Sequence, residues 1–372
     1  MDVRPSDAAD SRPLSFSRTP IVMVNSNTMQ AVFLLGPGQL SIREIPIPQP
    51  QADEIVLKIG ATLTCGTDLK AFRRGHPKWP PPTRFGHEYA GTVVARGAQV
   101  ATVREGDEVM LVPTGPCGDC YYCHRQQENL CTTLMETYVL GGYAEYLTVP
   151  ARVTRTNLLP KPPTLSFIEA AFLEPLSCVI FALQQTTLRP DDTAVVIGAG
   201  GFGLLHIVAL RALGVERVYV IARNPERARA AQAVGAYGII PQAAENARQA
   251  VLDVTGGRGA DIVIECTAQP RVWEESLLLA RPGGQVVLFG GCPAGTTASF
   301  DTYRFHYDQI RVLSPFHLTP KAVRQAYDLL SAGKISVEKF ISGTYTLAQL
   351  PLALDLLQRG EGIKYAVVPG EK

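Results

Sequence analysis

The feature that most restricts the fold is Gly198-Ala199-Gly200-Gly201-Phe202-Gly203, set between the apolar run Thr193–Ile197 and a helix-like segment ending at Gly214. Glycine triplets of this spacing are common, but one that closes a strand and opens a helix has a mechanical reason. Gly198 permits the tight turn, Gly200 lets a pyrophosphate approach the backbone, and Gly203 lets the helix pack closely on the strand, while the helix N-terminus offers N–H donors. Gly201 and Phe202 complete the loop. Three more continuous apolar runs, in RVYVIA, DIVIEC and QVVLFG, alternate with helix-like segments such as PERARAAQAVGA. Runs apolar on every residue belong to a parallel sheet buried on both faces. Residues 181–316 are therefore expected to form a doubly wound, Rossmann-type dinucleotide-binding domain.

Upstream the pattern differs. MQAVFLL, SIREIPIP, EIVLKIGATLTC, YAGTVVARG, DEVMLVP and YAEYLTVP are short, often alternating, and separated by Gly/Pro turns. They predict a β-rich, barrel-like unit over residues 29–180. The helix-like KAVRQAYDLLSAG and LAQLPLALDLLQRG near the C-terminus are expected to return to that unit, so that 29–180 and 317–372 make one domain. A chain of 372 residues accommodates two cores. Residues 1–28, rich in Ser, Asp, Arg and Pro, read as a disordered and dispensable extension. Lys plus Arg number 35 and Asp plus Glu 34, a balance that offers no field for nucleic acid or an anionic membrane. No apolar run approaches the roughly 20 residues of a membrane span, and no secretory signal is evident. The expectation is a cytoplasmic protein whose partner is a small molecule.

Eight cysteines in such a chain suggest metal more than disulfides. Cys117, Cys120, Cys123 and Cys131 crowd into one loop and supply the four thiolates of a closed, structural zinc site. An iron–sulfur cluster uses similar spacings. His124 inside the loop reads as solvated, because four thiolates already close the sphere. A second set is dispersed: Cys65 in TCGTDLK, His87 and Glu88 in FGHEYAG, and Glu174 in AAFLEPLSC. Thiolate, imidazole and carboxylate together suit zinc, and three protein donors leave one position open.

The segment Gly86-His87-Glu88, followed by Gly91, Gly97 and Val100, resembles the signature of the zinc-containing medium-chain alcohol dehydrogenases. CGTDLK, the cysteine loop and the glycine loop follow in that family's order. The resemblance runs from Met29 to the C-terminus and is nearest to the sorbitol and threonine dehydrogenase branch. It implies a GroES-like catalytic domain joined to the Rossmann domain, one catalytic and one structural zinc, and hydride transfer between a secondary alcohol and NAD(P). It further implies Cys65 and His87 as zinc ligands, with Glu88 and Glu174 sharing the remaining protein position, and a homodimer or homotetramer. Thr67 matches the hydroxyl residue that bonds the alcohol oxygen and begins a proton relay. Where many relatives end that relay with a histidine, this chain has Lys70, for which contact with cofactor phosphate or ribose is favoured over proton transfer.

Two other classes fit part of the pattern: a relative that binds cofactor without turnover, which would lose metal ligands, and a zinc-independent quinone or enone reductase, which would lack the cysteine loop and the GHE segment. Trp79, Phe85 and Phe316 are expected to offer apolar walls to the substrate, and His76 reads as a loop residue. NAD-selective sites place an acid about 20 residues after the glycine loop, where it repels a 2′-phosphate. That position here is Ala222, and Arg223 and Arg227 stand ready to donate to the phosphate, so NADP is expected over NAD.

Overall fold

Five consecutive buried residues, Thr193–Ile197, form the middle of a six-stranded sheet in the computed structural model, which describes residues 27–241 and 247–370. The strand order across this sheet is Gly238–Pro241, Arg217–Ala222, Thr193–Ile197, Ala260–Glu265, Ala280–Leu288, Arg311–Leu313, and every pairing is parallel. Thr193–Ile197 is the earliest of the six in the chain, so the strand order reverses beside it, between Thr193–Ile197 and Ala260–Glu265. A crevice at the carboxyl ends of strands opens at such a switch point. The glycine loop lies there. A Cβ on Gly203 would stand 1.8 Å from the Gly198 carbonyl oxygen, and Gly198 has φ +98°, so turn and helix packing exclude other residues. A Cβ on Gly200, by contrast, meets nothing within 4 Å.

The other unit is a mixed seven-stranded sheet. Ile55–Leu63 pairs antiparallel with Glu88–Arg96, with Tyr146–Val149 and with the C-terminal Lys364–Val367, and Ile341–Tyr345 lies outside the last of these. A three-stranded sheet of Gln39–Pro46, Thr28–Gly36 and Thr83–Arg84 closes beside it. The first of these strands in the chain begins at Thr28, so the expectation of disorder and dispensability falls almost wholly on residues outside those described.

Two helices tie the units together. Leu173–Gln184 and Pro320–Ser331 pack on each other, and one apolar cluster runs from Leu63, Ala90 and Met110 through Phe172 and Leu176 to Val196 and Val220. Pro175 is tolerated in the first turn of Leu173–Gln184, where its missing N–H has no intrahelical partner. The sequence reading that no apolar run is near membrane length needs correction: Phe167–Gln184, 18 residues, is long and apolar enough. The segment bends at Ala171–Phe172, and 67% of it is buried in the core.

Candidate active site and metal centres

The helix Gly66–Arg74 starts at Cys65 through a reciprocal cap: the Cys65 sulfur accepts from Thr67 N–H at 3.4 Å, and Asp68 Oδ2 accepts from Cys65 N–H at 3.1 Å. Asp68 is fully buried and does more than cap. Its Oδ1 lies 3.0 Å from His87 Nδ1, and its Oδ2 accepts from the Tyr143 hydroxyl at 2.8 Å. A carboxylate on Nδ1–H fixes the tautomer and leaves the Nε2 lone pair for a ligand. Burial depresses the His87 imidazole, but the charge and hydrogen bond of Asp68 outweigh it and hold its pKa well above the ordinary value.

Glu88 follows on the first residue of Glu88–Arg96 and is also fully buried. Its Oε2 is ion-paired with Lys364, whose ammonium donates as well to the Thr64 carbonyl at 2.9 Å. Burial opposes the charge on Lys364, yet Glu88 and Cys65 keep its pKa above the ordinary lysine value. The second oxygen, Oε1, has no hydrogen-bond partner. Donor atoms of Cys65, His87 and Glu88 lie within 4.8 Å of one another. A thiol, an imidazole and a buried, unpartnered carboxylate oxygen fit zinc, because a cation satisfies the acceptor that the protein leaves bare.

Glu174 sits on Leu173–Gln184 and groups with other donors. Its carboxylate, the Cys178 thiol and a His317 ring nitrogen are mutually within 4.8 Å, and the Cys178 thiol donates to Glu174 Oε1 at 3.7 Å. Burial pushes the Glu174 carboxyl up to about 7, with Glu88 adding to the rise and His87 opposing it. Sequence reasoning missed Asp68, Cys178, His317 and Lys364. Asp68 could have been found from the cap spacing in CGTD, and Cys178 from its place one helical turn after Glu174. His317 and Lys364 carried no local signal.

The remaining candidates are scattered in role. Thr67 is in the first turn of the helix capped by Cys65, and Lys70 is exposed one turn on, close enough to Cys292 beyond the strand Ala280–Leu288 to lower its thiol pKa against the rise from burial. Trp79 is buried, with its ring 5.8 Å from those of His87 and Tyr138 and 4.1 Å from His76, and it walls the metal site. Phe85 does not line a pocket: it is 0% exposed and packs on Tyr143 in the core. Phe316 is exposed and stands 6.0 Å from the His317 ring. In the glycine loop Gly200 caps the helix Gly201–Ala212, and Phe202 packs on Phe289 at 5.0 Å. Ala222 is buried at the end of its strand and Arg223 is exposed beside it, whereas Arg227 already donates to the Gly360 carbonyl at 2.9 Å.

Cys117, Cys120, Cys123 and Cys131 converge within 4.8 Å. Backbone N–H groups of Cys117, Asp119 and Cys120 point at the sulfurs of Cys131 and Cys117 from 3.3–3.4 Å, a field suited to thiolates. Hydrogen bonds from the Cys123 and Thr132 backbone bring the Cys120 thiol down to about 5, while burial pushes Cys123 up to about 12. His124 is exposed and pairs with Asp119 at 3.5 Å, outside the thiol cluster.

The family model for the alcohol dehydrogenase GroES-like domain matches residues 51–162, and that for zinc-binding dehydrogenases matches residues 201–332. A D-arabitol-phosphate dehydrogenase of Enterococcus avium is 30% identical over 92% of this chain and 98% of its own length. The chain belongs to the zinc-containing medium-chain alcohol dehydrogenases. A zinc-binding dehydrogenase of Sinorhizobium meliloti, solved with NADP, superposes with TM-score 0.82 at 29% identity, covering 92% of this chain and 99% of that one. An alcohol dehydrogenase of Escherichia coli, solved with NADH, gives TM-score 0.84 at 27% identity, covering 92% and 100%. For this family member the seven-stranded unit is the GroES-like domain and the six-stranded unit the Rossmann domain. Its chemistry is zinc-dependent, NAD(P)-linked alcohol oxidoreduction.

Proposed function

We propose that this dehydrogenase oxidises a secondary alcohol bearing further polar groups, a polyol, sugar alcohol or amino alcohol, with NADP preferred over NAD. The observation that carries it is the convergence of Cys65, His87 and Glu88 with Glu88 Oε1 left without a partner. These three hold the catalytic zinc, and the four cysteines hold the structural one. When bound, zinc supplies Lewis acidity toward the alcohol, and the nicotinamide accepts hydride. The chain's own residues do the rest. Asp68 keeps His87 in the ligating tautomer, and Thr67 hydrogen-bonds the reacting hydroxyl and begins the proton's exit. Glu174, titrating near neutrality, holds or yields a proton beside it. Lys70 and the loop from Gly198 to Gly203 bind the cofactor, with Lys70 facing phosphate or ribose.

The domain division follows the same reading, 29–180 with 317–372 as the catalytic domain and 181–316 as the cofactor domain. The exposed edge strand Arg311–Leu313 of the cofactor sheet supports assembly as a homodimer or homotetramer, and the cytoplasm is the proposed compartment.

NADP preference rests on Ala222 in place of an acid. One net phosphate contact from Arg223 gives roughly 10- to 100-fold preference. Arg227 contributes less, since it is engaged with Gly360. The test is kcat/KM for polyols, amino alcohols and simple secondary alcohols with each cofactor, in the wild type and in Ala222→Asp. The wild type should favour NADP and the variant NAD. A wild type favouring NAD refutes the cofactor assignment, and activity confined to simple alcohols refutes the substrate class.

A further inference from the structure

Three loops leave the carboxyl ends of neighbouring strands where the order of the cofactor sheet reverses: the glycine loop after Thr193–Ile197, residues 266–268 after Ala260–Glu265, and residues 289–291 after Ala280–Leu288. Glu265, the last residue of the strand between the other two, is fully buried. A carboxylate in that position is costly unless it is well hydrogen-bonded, and its partners here are peptide, hydroxyl and indole donors. Oε1 accepts from the Thr267 N–H, from the Thr267 hydroxyl and from the Ala268 N–H, the last at 3.0 Å. Oε2 accepts from Trp273 Nε1 at 3.0 Å, and the same N–H reaches the Gly290 carbonyl at 3.0 Å. Burial raises the Glu265 pKa, and these bonds oppose the rise.

The backbone joins the same loops. The Glu265 carbonyl accepts from the Phe289 and Gly290 N–H groups, each at 3.0 Å, and Cys266 N–H donates to the Ile197 carbonyl at 3.0 Å. The loops fit closely. A Cβ on Gly198 would stand 2.9 Å from Thr267 Cγ2, and one on Gly290 would stand 2.4 Å from the Ala268 nitrogen and 2.8 Å from Glu265 Oε2. Ala268 has φ +60°, a conformation that costs a non-glycine residue energy and persists where the surroundings enforce it. The Glu265 carboxylate supplies part of that enforcement by taking the Ala268 N–H. An apolar side chain would serve the strand as well, whereas a carboxylate that gathers donors from Thr267, Ala268 and Trp273 serves the loops.

We propose that Glu265 is a positioning residue for the nicotinamide cofactor. Through Thr267 and Ala268 directly, and through Trp273 to Gly290, it sets the wall of the crevice beside the glycine loop without itself touching the cofactor. This role rests on the glycine loop holding the cofactor.

The test is calorimetric titration of the full-length, zinc-loaded protein, well below its melting temperature, with whichever of NADP⁺ and NAD⁺ the wild type binds more tightly. Glu265→Gln keeps an oxygen for the donors on Oε1 and turns its N–H₂ toward Trp273 Nε1–H, donor against donor. The dissociation constant should rise by about tenfold or more. Zinc should hold at the cysteine loop and at Cys65, His87 and Glu88, the first metal set along the chain. Trp273→Phe alone should also weaken binding, but it removes the opposing N–H, so the double variant should bind the cofactor more tightly than Glu265→Gln. A general loss of stability would not produce that recovery. Unchanged affinity in Glu265→Gln, or losses that simply add in the double variant, overturns the proposal. If Glu265→Gln does not fold, unchanged affinity in Trp273→Phe overturns it instead. A wild type that binds neither cofactor overturns the cofactor reading as a whole, whereas a wild type that binds and variants that match it overturn this role alone.

Discussion

Asp68 is the residue whose importance exceeds its visibility. One buried carboxylate receives His87 Nδ1–H, the Tyr143 hydroxyl and the Cys65 backbone N–H, so it orients two zinc ligands that lie 22 residues apart. Asp68→Asn keeps the volume but turns an N–H₂ toward one of these donors. Zinc affinity at the first set should fall by about 10- to 100-fold, measured by chelator competition, while the four-cysteine zinc stays bound. Unchanged affinity would reduce Asp68 to a helix cap. The motif TCGTDLK made Cys65 and Thr67 legible because ligand and hydroxyl chemistry show in residue type. Asp68 is an ordinary first-turn acid by type, and only its partners in space reveal the second task. Phe85 fails in the opposite direction, since an aromatic near a metal motif says nothing of which way its ring faces.

Elements with a strong period were legible and those defined by packing were not. Thr193–Ile197, Arg217–Ala222 and Ala260–Glu265 announce themselves by three or more consecutive apolar residues each. Leu173–Gln184 carries Pro175, which reads as a breaker unless the helix start is known, and Gly238–Pro241 and Arg311–Leu313 are too short to carry a pattern. The helix Gly201–Ala212 hides an acid-sensitive group. His206 is fully buried, Nδ1 bonds the Phe202 carbonyl at 2.8 Å, Nε2 has no partner, and burial brings its pKa down to about 4. Between about pH 6.5 and 4 the unfolded chain binds this proton and the folded chain does not, so stability falls as pH drops, by about 3 kcal/mol in total. His206→Leu should flatten the difference in denaturant midpoint between pH 7 and pH 4.5, and an unaltered pH slope would contradict the assignment. The cysteine loop has only short helical turns and little buried apolar surface apart from Cys131 and Leu134. Metal must organise it. Cys120→Ser should lower zinc from two per chain to one and Tm by about 5 °C or more, with the first-set zinc retained. Loss of both ions together would show that the lobe and the first set do not form independently.

At the scale of the molecule, the division into a β-rich unit and a doubly wound unit was legible because the apolar pattern changes beyond Pro190. The closure of the active site was not, because it joins residues far apart in the chain. Lys364 opens the strand Lys364–Val367, but nothing local in the sequence says that its ammonium ends on Glu88, 276 residues away. That pair links the C-terminal strand Lys364–Val367, the strand Glu88–Arg96 and the Thr64 carbonyl next to Cys65, so the last strand of the chain shapes the first metal set. The Lys364 carbons also lie 3.9 Å from where a Gly201 Cβ would stand, at the start of the cofactor helix. Removing the cation should therefore be felt as stability and as metal binding. Lys364→Met keeps the aliphatic length and leaves the Glu88 carboxylate buried with neither oxygen paired by a cation. Breaking a buried ion pair from one side costs about 3–5 kcal/mol, so the metal-free protein should lose on that order in denaturant unfolding. Glu88→Gln combined with Lys364→Met should recover much of the loss, since an amide tolerates burial where a carboxylate does not, and the cycle should give a coupling above about 1 kcal/mol. Zinc should shield the single variant, because Glu88 then has a cation to face, and the loss measured in the zinc-loaded protein should be the smaller of the two. Equal losses with and without zinc, or additivity of the two substitutions, would mean that Lys364 supports the strand alone and leaves the metal set untouched.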